Sequence, residues 1–206
     1  MVPDSPALPP GLQHVVLLVA IGGSAGALSA YTALLEAMPS DAGMVFVVIS
    51  HMNPSAHSQL ALILSRYTAM PVLVACETMA IRRDHVYVTP PNADLRILGH
   101  EFTVVTPRSG GDTQIDLFFR SAAEAMGARA VGIVLSGYRA DGTEGCRHLK
   151  EHGGTTFAQD TSAEVGEMPA SAQAAGYVDF VLPPGKMPEE LQRLAAELAA
   201  RAQNTR

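Results

Sequence analysis

The sequence predicts an α/β fold: a doubly wound, mostly parallel sheet with helices on both faces and an inserted β-hairpin. Three observations predict it. Continuous apolar runs at 15–21 (VVLLVAI), 44–49 (MVFVVI) and 130–135 (AVGIVL) read as strands buried on both faces. Segments with helical spacing alternate with those runs, which is the βαβ pattern of a parallel sheet. Between 77 and 105 the texture changes to short alternating runs with Gly99-His100 between two of them, the pattern of a hairpin set between parallel units.

Each element follows from local chemistry. The first strand ends at Ile21 and breaks into Gly22-Gly23-Ser24-Ala25-Gly26. A helix over 27–38 is stopped by Pro39. The second strand, 44–49, is followed by Ser50-His51-Met52-Asn53-Pro54, and Ser55 can cap a helix reaching about Tyr67. A third strand spans 71–75. The runs 86–88, 94–98 and 102–105 belong to the hairpin region, and 107–114 is a polar loop. An amphipathic helix over 115–126 leads into the strand 130–135. That strand ends in Ser136-Gly137-Tyr138-Arg139-Ala140-Asp141-Gly142, and a helix over 143–152 follows. A strand at 155–158, a polar loop at 159–168, a short helix at 169–175, a last strand at 178–182 and a closing helix over 188–201 complete the pattern.

Composition narrows the function. With 206 residues, 48% of them hydrophobic, the chain can bury one sizeable core, expected over 14–203 after a Pro-rich tail, 1–13, expected to be disordered. A net charge of -6 argues against nucleic acid as the main partner and against an anionic membrane surface. Cys76 and Cys146 lie far apart and outside any CxxC motif, so neither a disulfide framework nor a zinc site is expected. The uncharged stretch 15–35 is interrupted by glycines and lacks a basic flank. It reads as a strand and the buried face of a helix, with no membrane insertion, and the protein is expected in the cytoplasm.

Ligands of an open parallel sheet sit beyond the carboxyl ends of its strands. Three apolar strands end in residues that can act together. Ser24 sits in a G-x-S-x-G turn, Gly22 to Gly26, as in a nucleophile elbow. His51 follows the second strand and Asp141 a later one. A serine needs a base to take its proton, and histidine titrates near neutrality. A carboxylate can fix the imidazole tautomer and stabilise its cation. Each residue also has a plainer reading: Ser24 as a helix cap, His51 as a histidine hydrogen-bonded near Asn53, and Asp141-Gly142 as turn chemistry. Their common place at one sheet edge favours a site. A phosphate cradle at Gly22 to Gly26 is a different class of function. A dinucleotide fingerprint would need glycine at 24 and 27 and an acid where His51 stands. His148 and His152, four apart with Glu144 and Glu151 nearby, do not form HExxH, and no metal or other cofactor is expected.

The pieces 21–26 (IGGSAG), Ser50-His51-Met52, 85–91 (HVYVTPP), 115–118 (IDLF), 132–137 (GIVLSG), Asp141-Gly142, 158–160 (AQD) and 166–169 (GEMP) carry a resemblance. Together they resemble the catalytic domain of the chemotaxis protein-glutamate methylesterases, the CheB type, over 19–182. The variant most resembled is the kind often fused to a receptor methyltransferase, which makes such an enzyme a conceivable second partner. The resemblance implies a doubly wound fold, Ser24 as nucleophile, His51 as base and Asp141 as the group orienting it. The implied reaction is hydrolysis of glutamate γ-methyl esters on the cytoplasmic domain of a methylated chemoreceptor, and deamidation of receptor glutamines is a known capacity of the family. By position, the backbone N–H groups of Ala25 and Tyr138 are the oxyanion donors. Asp112, Arg139 and Met168 are the residues expected on the substrate approach.

Departures from the family pattern are also visible. Arg139 stands where the family has glycine, so a positive φ there would strain the loop and disturb the donor at Tyr138. Asp112-Thr113-Gln114 stands where Arg-Pro-Ser is common, a charge reversal near the approach. The family's receiver domain has no counterpart before the first strand, so phosphorylation-linked control within this chain is not expected. A second reading, a catalytically weak homologue that binds a receptor or signalling partner, rests on Tyr138, Arg139 and Asp112.

Overall fold

Apolar runs that are dry on both faces become the centre of a sheet. In the structure, a computed structural model that describes residues 12, 15–50, 59–109, 111 and 113–204, the elements follow as β1 (Leu18–Gly23), α1 (Leu28–Ala37), β2 (Val45–Ser50), α2 (Leu60–Leu64), β3 (Val72–Val74), β4 (His85–Val88), β5 (Asp94–Leu98), β6 (Glu101–Val105), α3 (Gln114–Met126), β7 (Ala130–Val134), α4 (Thr143–Glu151), β8 (Thr155–Gln159), α5 (Glu167–Ala174), β9 (Phe180–Leu182) and α6 (Met187–Asn204). Seven strands form one sheet in the order β3-β4-β2-β1-β7-β8-β9, and every neighbouring pair is parallel. The expected tail, apart from Leu12, and the segment 51–58 lie outside the described residues.

Alternate residues of β1 feed two cores. Leu18 and Ala20 join Phe118, Phe119, Cys146 and Met168 from α3, α4 and α5 on one face. Val19 and Ile21 join Tyr31, Leu34, Leu64 and Leu191 from α1, α2 and α6 on the other. Chain order runs outward from β1 through β2 in one direction and from β7 through β8 in the other. The order therefore reverses between β1 and β7, and a doubly wound sheet opens its ligand crevice beyond the strand ends at such a reversal. Gly22 permits this junction to close: a Cβ there would overlap the Ile115 side chain of α3.

One expectation needs correcting. The run 86–88 belongs to the main sheet, as part of β4 between β2 and β3, and not to the hairpin. Val86, Tyr87 and Val88 are all at most 1% exposed, so this short strand is buried on both faces, and three residues are too few to distinguish that from alternation. The hairpin is β5–β6 alone, antiparallel and anchored on α3 by the Ile97 N–H donating to the Ser121 hydroxyl at 3.2 Å.

Candidate active site

Ser24 immediately follows β1, on the turn that enters α1. Its N–H donates to the Ser136 carbonyl at 2.9 Å, and its own carbonyl accepts the Ala27 N–H at 3.1 Å. Gly26 completes the turn at φ +73°, which glycine adopts without a side-chain penalty. Ser136, fully buried just beyond β7, ties this turn to its surroundings. Its hydroxyl donates to the Ala25 carbonyl at 2.8 Å and accepts the Val165 N–H at 2.9 Å. Its own N–H donates to Gln159 Oε1 at 3.0 Å. Beneath the turn, the Tyr31 ring occupies the space a side chain at Gly23 would need, and its hydroxyl donates to the Ile49 carbonyl at 3.4 Å. Burial pushes the Tyr31 phenol well above its ordinary range, so it stays neutral as a packing anchor.

The loop from Gly137 to Gly142 runs beside Ser24. A Cβ at Gly137 would overlap the Met168 sulfur and lie 3.0 Å from the Ser24 Cβ. Three contacts with the start of α5 hold this loop. The Gly137 N–H donates to the Val165 carbonyl at 2.9 Å, the Met168 N–H to the Gly137 carbonyl at 3.0 Å, and the Arg139 N–H to Glu167 Oε2 at 2.9 Å. Arg139 has φ +68°, the left-handed conformation that its glycine-like position implied. Such a conformation costs an ordinary residue about 1 kcal/mol, and the Glu167 carboxylate and the Ser171 hydroxyl, which donates to the Arg139 carbonyl at 3.3 Å, hold it.

Asp141 is 4% exposed and held by three backbone donors. Ile115 donates to its Oδ2 at 3.0 Å, while Asp116 and Gly142 donate to its Oδ1 at 3.0 and 2.9 Å. Two of these donors belong to the first turn of α3, where the helix dipole favours an anion. The second carboxylate, Asp116, accepts the N–H groups of Gly142 at 2.9 Å and Gly145 at 2.7 Å, at the start of α4. Burial first, and then the charge and hydrogen-bonding contact of Asp141, push the Asp116 carboxyl up to about 6; the Gly145 and Gly142 donors partly offset this.

Ser24 and Ala25 follow β1, and Tyr138, Arg139 and Asp141 follow β7, the two neighbouring strands between which the order reverses. Among the described residues, neither the Ala25 nor the Tyr138 backbone N–H has a hydrogen-bond partner. The Tyr138 side chain is exposed. Met168 is fully buried beneath Gly137 and meets the crevice from below as a packing group. His51 and Asp112 lie outside the described residues. The residue before His51, Ser50, is in register with Gly23, the residue before Ser24. Among the described residues no group of three or more His, Cys, Asp or Glu is placed to hold a metal. Asp116, Ser136 and Glu167 fall within the pieces 115–118, 132–137 and 166–169 that carry the resemblance, but the sequence alone assigns none of them a role. An acid in the first turn of a helix was visible at Asp116, but its second helix was not. Ser136 lies in the piece GIVLSG, but its place after a strand gives no sign of the contacts its hydroxyl makes.

The family model described as CheB methylesterase matches residues 19–191. A protein-glutamate methylesterase/protein-glutamine glutaminase of Burkholderia lata is 35% identical over 98% of this chain, and the chain spans 58% of that relative's length. A protein of Leptospira interrogans described as a protein-glutamate methylesterase/protein-glutamine glutaminase is 32% identical over 85% of this chain and 93% of its own. The crystal structure of the Thermotoga maritima CheB methylesterase catalytic domain superposes with a TM-score of 0.77 at 28% identity, covering 86% of this chain and 98% of that one.

Proposed function

This chain belongs to the CheB methylesterase family, and from that premise we propose that it hydrolyses glutamate γ-methyl esters on the cytoplasmic domain of a methylated chemoreceptor. Ser24 is the nucleophile, His51 its base and Asp141 the group that orients His51. The observation that carries this reading is the order of the sheet: Ser24 follows β1, and a buried Asp141 held by three N–H groups follows β7, on the two sides of the point where the strand order reverses.

In this reading the Ser24 hydroxyl attacks the ester carbonyl and gives its proton to His51. Negative charge develops on the carbonyl oxygen, and the N–H groups of Ala25 and Tyr138 receive it. Preorganised donors of this kind are each worth about 3 kcal/mol in acyl transfer. Methanol leaves with the proton from His51. Water then attacks the acyl-serine by the same route and frees the glutamate carboxylate. Attack on a glutamine amide follows the same path with ammonia leaving, in keeping with the glutaminase named in the relatives. Among the described residues no helix is long and apolar enough to cross a membrane.

The test is methanol release from methylated chemoreceptor fragments by wild type, Ser24→Ala and His51→Ala. Release by wild type, with a loss of at least about 10³-fold in both variants, supports the reading. A wild type that binds the fragments as well as Ser24→Ala does and releases no methanol sinks it, and leaves the chain as a receptor-binding homologue.

A further inference from the structure

We propose that Asp116 is a positioning residue of this site: its carboxylate fixes the loop that carries Asp141 and adds its charge to the one Asp141 presents to the base. The inference rests on the methylesterase reading for the identity of that base, His51. Its foundation is an exchange of helix caps. Asp141, which precedes α4, accepts the first N–H groups of α3, while Asp116, which belongs to α3, accepts N–H groups at the start of α4. The Gly142 N–H is shared, 2.9 Å from an oxygen of each carboxylate. Neither helix can shift without moving the other's carboxylate, so the rotamer of Asp141 is set by both. Gly145 takes part for a second reason: a Cβ there would lie 2.6 Å from the Phe119 Cβ, so the close approach of α3 and α4 needs glycine.

A cap requires only an acceptor oxygen, which asparagine also supplies. The charge of Asp116 is therefore the part that capping does not use. Two carboxylates sharing one partly buried site each favour a nearby cation, and in the methylesterase reading the base that becomes imidazolium during turnover is such a cation. Among the described residues the titratable groups facing Asp116 are Asp141, from the loop before α4, and the Cys146 thiol on α4, which burial and the Asp116 charge hold neutral. On the β1 side Ile115 packs on Gly22 and offers no charge. Arg120, one turn further along α3, is exposed.

Asp116→Asn removes the charge and keeps an acceptor for Gly142 and Gly145, and Asp116→Ser, which lacks the amide donor toward Asp141, controls for the new N–H. The readout is the NMR titration of the His51 imidazole in wild type and variant, alongside kcat/KM for p-nitrophenyl acetate across pH. The variant's His51 is expected to titrate at least about 0.5 pH unit lower, since a nearby anion no longer favours the imidazolium. The acid limb of kcat/KM should move in the same direction. An unshifted His51 titration overturns the proposal, even where the activity plateau falls, because a cap alone accounts for a lower plateau. If Asp116→Asn does not fold, Asp116→Ser, a neutral capping residue, gives the same reading. A wild type without Ser24-dependent hydrolysis refutes the esterase reading instead, and the imidazole titration still decides the role of Asp116.

Discussion

Ser136 shows how much of this site rests on one uncharged side chain. Its hydroxyl joins the Ala25 carbonyl to the Val165 N–H, and its carbonyl takes the Ser24 N–H. The turn that bears Ser24 and the segment that leads to α5 therefore meet on a single buried residue. Ser136→Ala keeps the volume but strips a partly buried carbonyl and a partly buried N–H of their partner. Each loss costs about 1 kcal/mol or a little more at that depth. The expected outcome in urea denaturation is a stability loss of about 2–3 kcal/mol, with kcat/KM falling more than about 10-fold as the Ala25 N–H loses its orientation. Wild-type stability would mean that water takes over both partners. Arg139 is the contrasting case at this scale. Its arginine was legible in the sequence as a departure at a glycine-like position, and its φ of +68° is the physical content of that departure.

At the level of elements, the junction of the 137–142 loop with α5 is the tightest part of the crevice. Gly137 has the Met168 sulfur on one side and Ser24 on the other, with no room for a methyl group. Gly137→Ala is expected to cost more than about 2 kcal/mol through overpacking. The same change made in a Met168→Ala background should cost at least about 1 kcal/mol less, because the cavity left by the thioether accepts the new Cβ. A double-mutant cycle by urea denaturation measures this coupling, and strict additivity would show that the loop moves away from α5 instead. The elements themselves were largely legible. The continuous runs of β1, β2 and β7 predicted a buried parallel sheet, and the glycine turn after Ile21 predicted the place of Ser24. What stayed hidden was relational. The β4 run was too short to show that both its faces are buried. The exchange of caps between Asp116 and Asp141 exists only once the N-termini of α3 and α4 meet, 25 residues apart in sequence. Local propensity carries no trace of such a meeting, because each acid taken alone is an ordinary helix-start residue.

For the whole molecule, Asp116 links the site to the pH dependence of stability. Its carboxyl is raised from 3.8 to about 6 in the folded chain, chiefly by burial. Between those values the folded chain holds a proton that the unfolded chain has released. Stability therefore falls as pH rises through this window, and the cost is fully present above about pH 6. Each pKa unit corresponds to about 1.4 kcal/mol, but Asp116 is only partly shielded from solvent, which screens its charge. A contribution of about 1 kcal/mol is the reasonable scale after that discount. Asp116→Asn removes the ionisation and keeps an acceptor for Gly142 and Gly145. Its melting temperature relative to wild type should therefore climb by about 2–4 °C between pH 4.5 and pH 7.5. The net charge of -6 means that loss of any carboxylate relieves some general repulsion, so Glu36→Gln, an exposed acid on α1, provides the comparison. Its difference from wild type at the two pH values measures the general charge effect. Calorimetry of the three proteins at both pH values separates a partly buried carboxylate that resists ionisation from a general charge effect, and parallel curves for the two variants would place Asp116 in the ordinary carboxylate range.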